Sequence, residues 1–497
     1  MTRRTRKIIV VGGGTAGSVL AARLSEDPGL SIILLEAGGD HDTYDSAVLE
    51  PARAGDAWTG ATPVATTAMA TETGTIPMIQ GRLLGGTSAI NAMATLRGLP
   101  EDYDAWAAAG LDGWGWDDVV NTFIAAERDL DFGSSPIHGS KGPLPVRRWR
   151  RDELSRAHRA YYDGMIEIGE PTVADINDPS QLPGIGVFPV TIDDDARRVT
   201  TSLAYLTSEV RARTNLEVRT NAEVDTLTVD AGRVIGVTLV TGEELAADEV
   251  VVAAGALWSP TLLMRSGIGP ADQLSEHGIT IHADLPVGAS MSDHLGPGIP
   301  YHHDGPRGGI AGPAQVLLVG ASNGVDVDYH AFPIASVPSQ DETTFMMAVF
   351  LLRSSGRGSV RLGDTPEAGP VVEAPPLPDD APERLRHAFD RLAAWERSAA
   401  VRDLGCKPVV PHDLTAPDAV ATALERVTLS YAHMTGTCPM GSVLDADCRV
   451  RGIDGLRVAD ASVMPTIPSG NTYLGCVMVA ERVAQKMKDA TSAADVV

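Results

Sequence analysis

Cysteine is scarce in this chain, with 4 in 497 residues, at Cys406, Cys438, Cys448 and Cys476. No two form a C-x-x-C pair, which argues against a zinc or thioredoxin-type site, and four in a chain this long make no disulfide scaffold. A reduced, cytoplasmic setting is expected. Basic residues are also short: 40 Lys and Arg stand against 65 Asp and Glu, a formal net charge of −25. Phosphate contacts need a basic surface, so a nucleic-acid partner is not expected. Adhesion to anionic membranes is disfavoured for the same reason. No apolar run approaches the ~18 residues of a membrane span. The apolar run Ile8–Val11 behind the basic N-terminus stops at Gly12, too short for an export signal. Aromatic residues make up only 5%. A cage for a quaternary ammonium needs several converging rings, and none is identifiable in the sequence.

What is present reads as an ordinary globular protein. Hydrophobic residues are 43% and charged residues 21%, close to average usage. At ~150 residues per domain the length suits about three units, or two large ones. The 51 glycines point to tight turns and close backbone approach to a ligand. Ile8–Val11 is β-branched and closed by glycine, as a buried strand is. Gly12-Gly13-Gly14-Thr15-Ala16-Gly17 follows, then the helical Ser18–Leu24, then Ser31–Glu36 as a second strand ending in an acid. Strand, G-x-G-x-x-G, helix, strand and acid in this order make a dinucleotide-binding fingerprint. Gly12 allows the turn, Gly14 the approach of a pyrophosphate, and Gly17 close helix–strand packing. The helix N-terminus at Thr15 and Ala16 offers free N–H groups and a positive dipole. Glu36, with Ala37 beside it, lies about 20 residues beyond, where it can accept from an adenosine ribose. The motif alone does not separate FAD from NAD.

Further on, Leu216–Val218, Ala222–Val229 and Arg233–Val240 read as three short strands separated by turns. They lead to Glu249–Ala256, a buried strand closing on small residues. A meander before such a strand end is associated with FAD-binding folds, and it adds Val224 and Ala254 as candidate cofactor contacts.

Two longer motifs carry a specific resemblance. Gly81–Met93 (GRLLGGTSAINAM) and Gly255–Gly269 (GALWSPTLLMRSGIG) resemble the two signatures of the glucose–methanol–choline (GMC) oxidoreductases. His138–Leu144, Leu285–Gly288 with Asp293-His294, and Val458–Pro465 are also family-like, in family order along the chain. Thr95 departs from the first signature, which usually has an aromatic or Ala there. The resemblance implies an α/β chain, α+β overall. A Rossmann-like FAD-binding domain with a β-meander would join a substrate domain of mostly antiparallel sheet and flanking helices. The expected division is 1–150, 200–300 and 430–497 for the first, 151–199 and 300–429 for the second.

The resemblance also implies the site. Backbone N–H groups of the flavin loop would meet the cofactor as an anion nest. That makes Arg82, Gly85, Gly86, Thr87, Ser88, Asn91, Ala92, Met93 and Ala94 candidates, with Arg82 supplying positive charge. Ile90 stands where covalently flavinylated relatives carry histidine, so FAD is expected to be held non-covalently. His433 matches the family's catalytic histidine, and a base titrating near neutrality suits alcohol oxidation. Asn471 matches the second polar partner and would orient the substrate oxygen. Thr472, Asp460 and Ala461 are implied flavin contacts. Tyr473–Lys488 reads as a helix whose N-terminus would stabilise negative charge on the reduced ring. His294 is read as structural. No ligand spacing supports a metal at His302, His303 or His330. Cys438, Cys448 and Cys476 read as small apolar fillers.

In the substrate domain, Gln315–Val319, Val325–Ala331, Thr344–Leu352 and Ser359–Leu362 are expected as strands. Pro370–Pro382 is expected as a connector, Pro382–Ala399 as a helix, and Gly305–Pro313 as a flexible loop. The polar residues of 300–345 favour a sugar, glycoside or polyol substrate. An aryl or furan alcohol is the runner-up, with choline and hydroxynitrile-lyase chemistry behind. The partners expected are thus a small alcohol or sugar and an electron acceptor, oxygen or a quinone.

Overall fold

The computed structural model describes residues 5–40, 46–59, 64–71, 74–310, 312–322, 326–335, 342–365 and 368–494. Its first layer is a five-stranded parallel sheet in the order Leu216–Arg219, Leu30–Leu35, Arg6–Val11, Glu249–Val252, Leu456–Val458. Both faces are covered, so the central strands are apolar throughout; Ile8, Ile9 and Val10 are each 0% exposed. Burying such side chains stabilises by roughly 1.5–3 kcal/mol each. Helix Thr15–Leu24 packs beside the C-terminal helix Thr472–Ala494, and Arg23 on the first pairs with Glu481 on the second at 2.8 Å. Gly17 makes the turn into the first helix possible. A Cβ there would stand 1.8 Å from the Gly12 carbonyl oxygen, so no other residue lets helix and strand meet this closely.

The meander differs from its sequence reading. Leu216–Arg219 pairs in parallel with Leu30–Leu35 and so belongs to the main sheet. The antiparallel meander is Val224–Asp230, Arg233–Leu239 and Glu244–Ala246. A four-residue strand carries too little pattern to reveal its partner, which here lies far back in the chain.

The second layer is an eight-stranded, mostly antiparallel sheet. Its centre is Leu295–His302, Thr344–Leu351, Asp326–Ile334 and Val316–Ser322, with Gly184–Val187 alongside. Val325 lies outside the described residues. The helices Arg156–Glu167 and Ala381–Trp395 pack on this sheet, around Tyr161, Phe389 and Trp395. The second helix ends at Trp395, short of the expected Ala399. Ser359–Arg361 does not join this sheet. It pairs with Val371–Glu373, a strand inside the expected connector. That strand pairs in turn with Val64–Thr71, which is antiparallel to Gly74–Gly81. No helix among the described residues is long and apolar enough to cross a membrane.

Candidate active site

A cavity of about 920 Å³ is lined at one end by the Gly12–Gly17 turn and Glu36 and at the other by His433 and Asn471. Its size is at the upper end for a small-molecule site. Gly14 caps helix Thr15–Leu24 without any side-chain hydrogen bond, which leaves the helix N-terminus open to an anion. Glu36 is 6% exposed. Its carboxylate accepts from the N–H of Gly13 at 2.7 Å and of Gly38 at 2.8 Å. Burial pushes its pKa up to about 6, against those two donors.

The flavin loop is bolted onto this turn. The Gly85 N–H donates to the Gly13 carbonyl at 2.8 Å, and Gly86 lies against Gly14. Arg198, which sequence reasoning missed, braces the loop from behind. Its guanidinium donates to the Ser88 carbonyl at 3.2 Å and to Asn91 Oδ1 at 2.9 Å. Asn91 Oδ1 also accepts from the Met93 N–H at 2.9 Å. The Ser88 hydroxyl accepts from the Thr201 N–H at 3.0 Å. The guanidinium of Arg82 is half exposed and pairs with Glu223. Asp460 ties the strand end at Val458 to the helix Gly255–Arg265, accepting from the N–H of Gly255 and of Ser462, each at 2.8 Å.

Thr15, Ala16, Ala37, Thr87, Ala92, Ala94, Val224, Ala254, Ala461 and Thr472 all line the cavity. Gly17, Gly85 and Met93 are not on its wall; Met93 is fully buried in the second core. The strand Gly74–Gly81 supplies a wall that the sequence did not announce, through Ile76, Pro77 and Met78.

At the far end His433 is 7% and Asn471 7% exposed. Asn471 immediately precedes helix Thr472–Ala494. Its Nδ2 is 3.1 Å from His433 Nε2, and its Oδ1 is buried with no partner. The His433 N–H donates to Asp293 Oδ1 at 2.9 Å, which places the ring. Tyr431 stacks on that ring, centroids 4.0 Å apart, and Phe350 stacks on Tyr431 at 4.3 Å. His294 contacts the site directly, with its Nδ1 3.0 Å from His433 Nδ1. Burial, then the neighbouring His294 and His330, hold His433 well below the ordinary histidine range. Burial lowers His294 and His330 to about 3. The shift runs away from the near-neutral titration expected of the base and favours the neutral ring. The cysteines bear out their reading as inert fillers. Cys438, Cys448 and Cys476 are buried, and burial pushes their thiols up, far from thiolate chemistry.

Glu127, Asp129 and His138 form a compact buried cluster. Arg97 and Arg148 pair into the same cluster, and His138 Nδ1 and Nε2 lie 2.8 and 2.6 Å from Glu127 and Asp175. Burial opposes charge on His138, but the three carboxylates overcome it and raise the pKa to about 10. An imidazolium donating at both nitrogens has no lone pair for a metal.

The residues fit a flavin adenine dinucleotide. An uncapped helix start, facing glycines and a buried acid stand at one end. At the other, a neutral histidine lies beside an amide oxygen with no partner. Fold and site together define a flavin-dependent oxidoreductase acting on alcohols.

Comparison with known proteins agrees. The GMC oxidoreductase family matches residues 6–296 with its N-terminal part and 354–480 with its C-terminal part. The chain is 34% identical to 5-(hydroxymethyl)furfural oxidase of Methylovorus sp. (strain MP688), over 97% of this chain and 99% of that protein. It is 33% identical to pyridoxine 4-oxidase of Microbacterium luteolum, with the same coverage. The crystal structure of pyridoxine 4-oxidase from Mesorbium loti superposes with a TM-score of 0.89 at 31% identity, covering 97% and 99% of the two chains. The chain belongs to the GMC oxidoreductases, and its cofactor is FAD.

Proposed function

We propose that this enzyme oxidises a hydroxymethyl group carried on an aromatic or heteroaromatic ring. His433 is the base and Asn471 orients the oxygen. The observation that carries the reading is the wall around this pair, made of Phe332, Ile334, Met346, Phe350, Leu429 and Tyr431. Phe332 lies 5.2 Å from Tyr431 and 5.8 Å from Phe350, centroid to centroid. A flat ring is complementary to such a surface.

Of the polar residues of 300–345 that favoured a sugar, Gln315 and Asp328 are engaged elsewhere, while Asn323, Ser336, Ser339 and Gln340 lie outside the described residues. Gln315 bonds the backbone of Ser155, Glu153 and Ile310, and Asp328 pairs with Arg384. That segment turns Pro313, Ala314, Phe332 and Ile334 to the cavity. A sugar hydroxyl buried against them without a partner would cost about 1–3 kcal/mol. The names of the relatives, acting on hydroxymethylfurfural and pyridoxine, point the same way.

FAD, when bound, supplies the hydride acceptor. Binding places the alcohol oxygen against Asn471 and the Nε2 of His433, and the hydroxyl proton passes to that nitrogen. The apolar rings exclude water from the pair. The division into an FAD unit (1–150, 200–300, 430–497) and a substrate unit (151–199, 300–429) belongs to this reading. So do non-covalent FAD, since Ile90 on the cavity wall offers no nucleophile, and oxygen as acceptor, since both relatives are named oxidases.

The test is anaerobic flavin reduction across hydroxymethylfurfural, benzylic alcohols, pyridoxine, sugars, glycosides and choline, followed by reoxidation with oxygen or a quinone. Ring-borne alcohols should bleach the flavin at least tenfold more efficiently than sugars. Faster reduction by a sugar or glycoside establishes the polyol reading. Cyanohydrin cleavage without bleaching replaces both with a lyase.

A further inference from the structure

Among the buried titratable groups that the catalytic reading leaves unused, His294 lies against the catalytic ring. His294 is 0% exposed and sits behind His433, on the side away from Asn471, with the two Nδ1 atoms 3.0 Å apart. Only one proton fits between two such nitrogens. Burial favours the neutral form of both rings, and a neutral ring carries a single N–H.

The surroundings decide which ring donates. The Asn471 Nδ2 amide faces His433 Nε2 at 3.1 Å and donates to it, so Nε2 holds a lone pair. The proton of His433 is then on Nδ1. With His294 Nδ1 facing that N–H at 3.0 Å, Nδ1 is the acceptor, and the single proton of His294 is on Nε2, which is buried with no hydrogen-bond partner among the described residues. The Asp293 carboxylate accepts from the backbone N–H of both histidines, at 2.8 and 2.9 Å, which holds them in register.

We propose that His294 is a positioning residue: its Nδ1 accepts the Nδ1–H of His433 and so presents the Nε2 lone pair of His433 to the substrate hydroxyl. When His433 takes the hydroxyl proton at Nε2, its ring becomes an imidazolium. The Nδ1–H···Nδ1 bond to His294 then becomes charge-assisted and stabilises that cation in a buried site. The substrate O–H bond breaks as the Nε2–H bond forms, and the Asn471 Nδ2 donation to Nε2 is given up, freeing that amide to face the substrate oxygen. The inference rests on His433 being the base. It goes further in assigning the base to one nitrogen and in giving His294 a part in the reaction.

The test compares holoenzymes. In His294→Leu the acceptor is gone, and the limiting rate of anaerobic flavin reduction should fall by at least tenfold, with KM changed less than twofold and flavin content retained. In His294→Asn a side-chain oxygen can take the place of Nδ1, and the rate should return to within about threefold of the parent. A spectrum of the ring-15N-histidine holoenzyme, with His433 assigned from the signals lost in His433→Gln, should show Nδ1 protonated and Nε2 bare. A His433 protonated at Nε2 overturns the proposal, as does a folded His294→Leu that reduces at the parent rate. If His294→Leu does not fold, the spectrum and His294→Asn decide. Parent-like reduction by His433→Ala would instead overturn the catalytic reading itself.

Discussion

Replacing Gly86 by alanine probes the interlock between the two cofactor loops. Gly86 has φ +53°, and a Cβ on it would stand 2.7 Å from the Cα of Gly14. A left-handed conformation costs a non-glycine residue roughly 1–2 kcal/mol. Ordinary contact begins at 3.4 Å, so the loops must part by several tenths of an ångström, and overpacking of this kind costs about 1–3 kcal/mol. Parting them also strains the neighbouring Gly85-to-Gly13 hydrogen bond. The combined loss should be about 2–5 kcal/mol, shared between apoprotein stability and FAD affinity, or at least about thirtyfold in the overall equilibrium. Denaturant unfolding of the apoprotein and titration with FAD measure the two parts. Gly14→Ala is the internal control. Its Cβ meets only the Cα of Gly86, at 3.7 Å, so the apoprotein should unfold within about 1 kcal/mol of the parent, and only FAD affinity should drop. A Gly86→Ala protein as stable and as tightly flavinylated as the parent would refute the interlock. So would an equally unstable Gly14→Ala apoprotein.

Other consequences are equally direct. The charge network at His138 contributes its full stability below the ordinary histidine pKa of 6.5 and loses it as pH rises towards about 10. The lowered Asp129 and Asp175 contribute above the usual carboxylate range and lose it on acidification. Unfolding free energy should therefore decline between pH 6.5 and 10, and His138→Gln, measured by denaturant titration, should lack that decline and be about 3–5 kcal/mol less stable at pH 6. Asn471→Ala should lower the flavin reduction rate about 10²–10³-fold while FAD content is unchanged, as removal of an oxyanion donor does. Phe332→Ser should lower kcat/KM for benzylic alcohols about tenfold or more and leave the slow reduction by polyols unchanged, in steady-state assays.

The fingerprint was legible because it is local. Gly12, Gly14, Gly17 and Glu36 sit at spacings set by one turn, one helix and one strand, and the strand, glycine turn and helix observed follow that order. Long-range pairing was not legible. Leu216–Arg219 and Ser359–Arg361 read as strands, but their partners, Leu30–Leu35 and Val371–Glu373, are chosen by tertiary packing that a three- or four-residue pattern does not encode. Side-chain facing was equally hidden. The polar count of 300–345 was right, yet Gln315 and Asp328 are consumed by internal bonds while Phe332 and Ile334 meet the cavity. A low aromatic total likewise concealed that Phe332, Phe350 and Tyr431 converge on one place. His294 was visible in its motif. Its contact with His433 joins residues far apart in sequence, and only the folded chain brings the two Nδ1 atoms together.

The central claim is that His433 removes the hydroxyl proton. Its most direct test is single-turnover anaerobic flavin reduction in His433→Ala, loaded with FAD, on the best ring-borne alcohol. The account predicts a rate about 10²–10⁴-fold below the parent, with FAD binding intact. Reduction within threefold of the parent would contradict it.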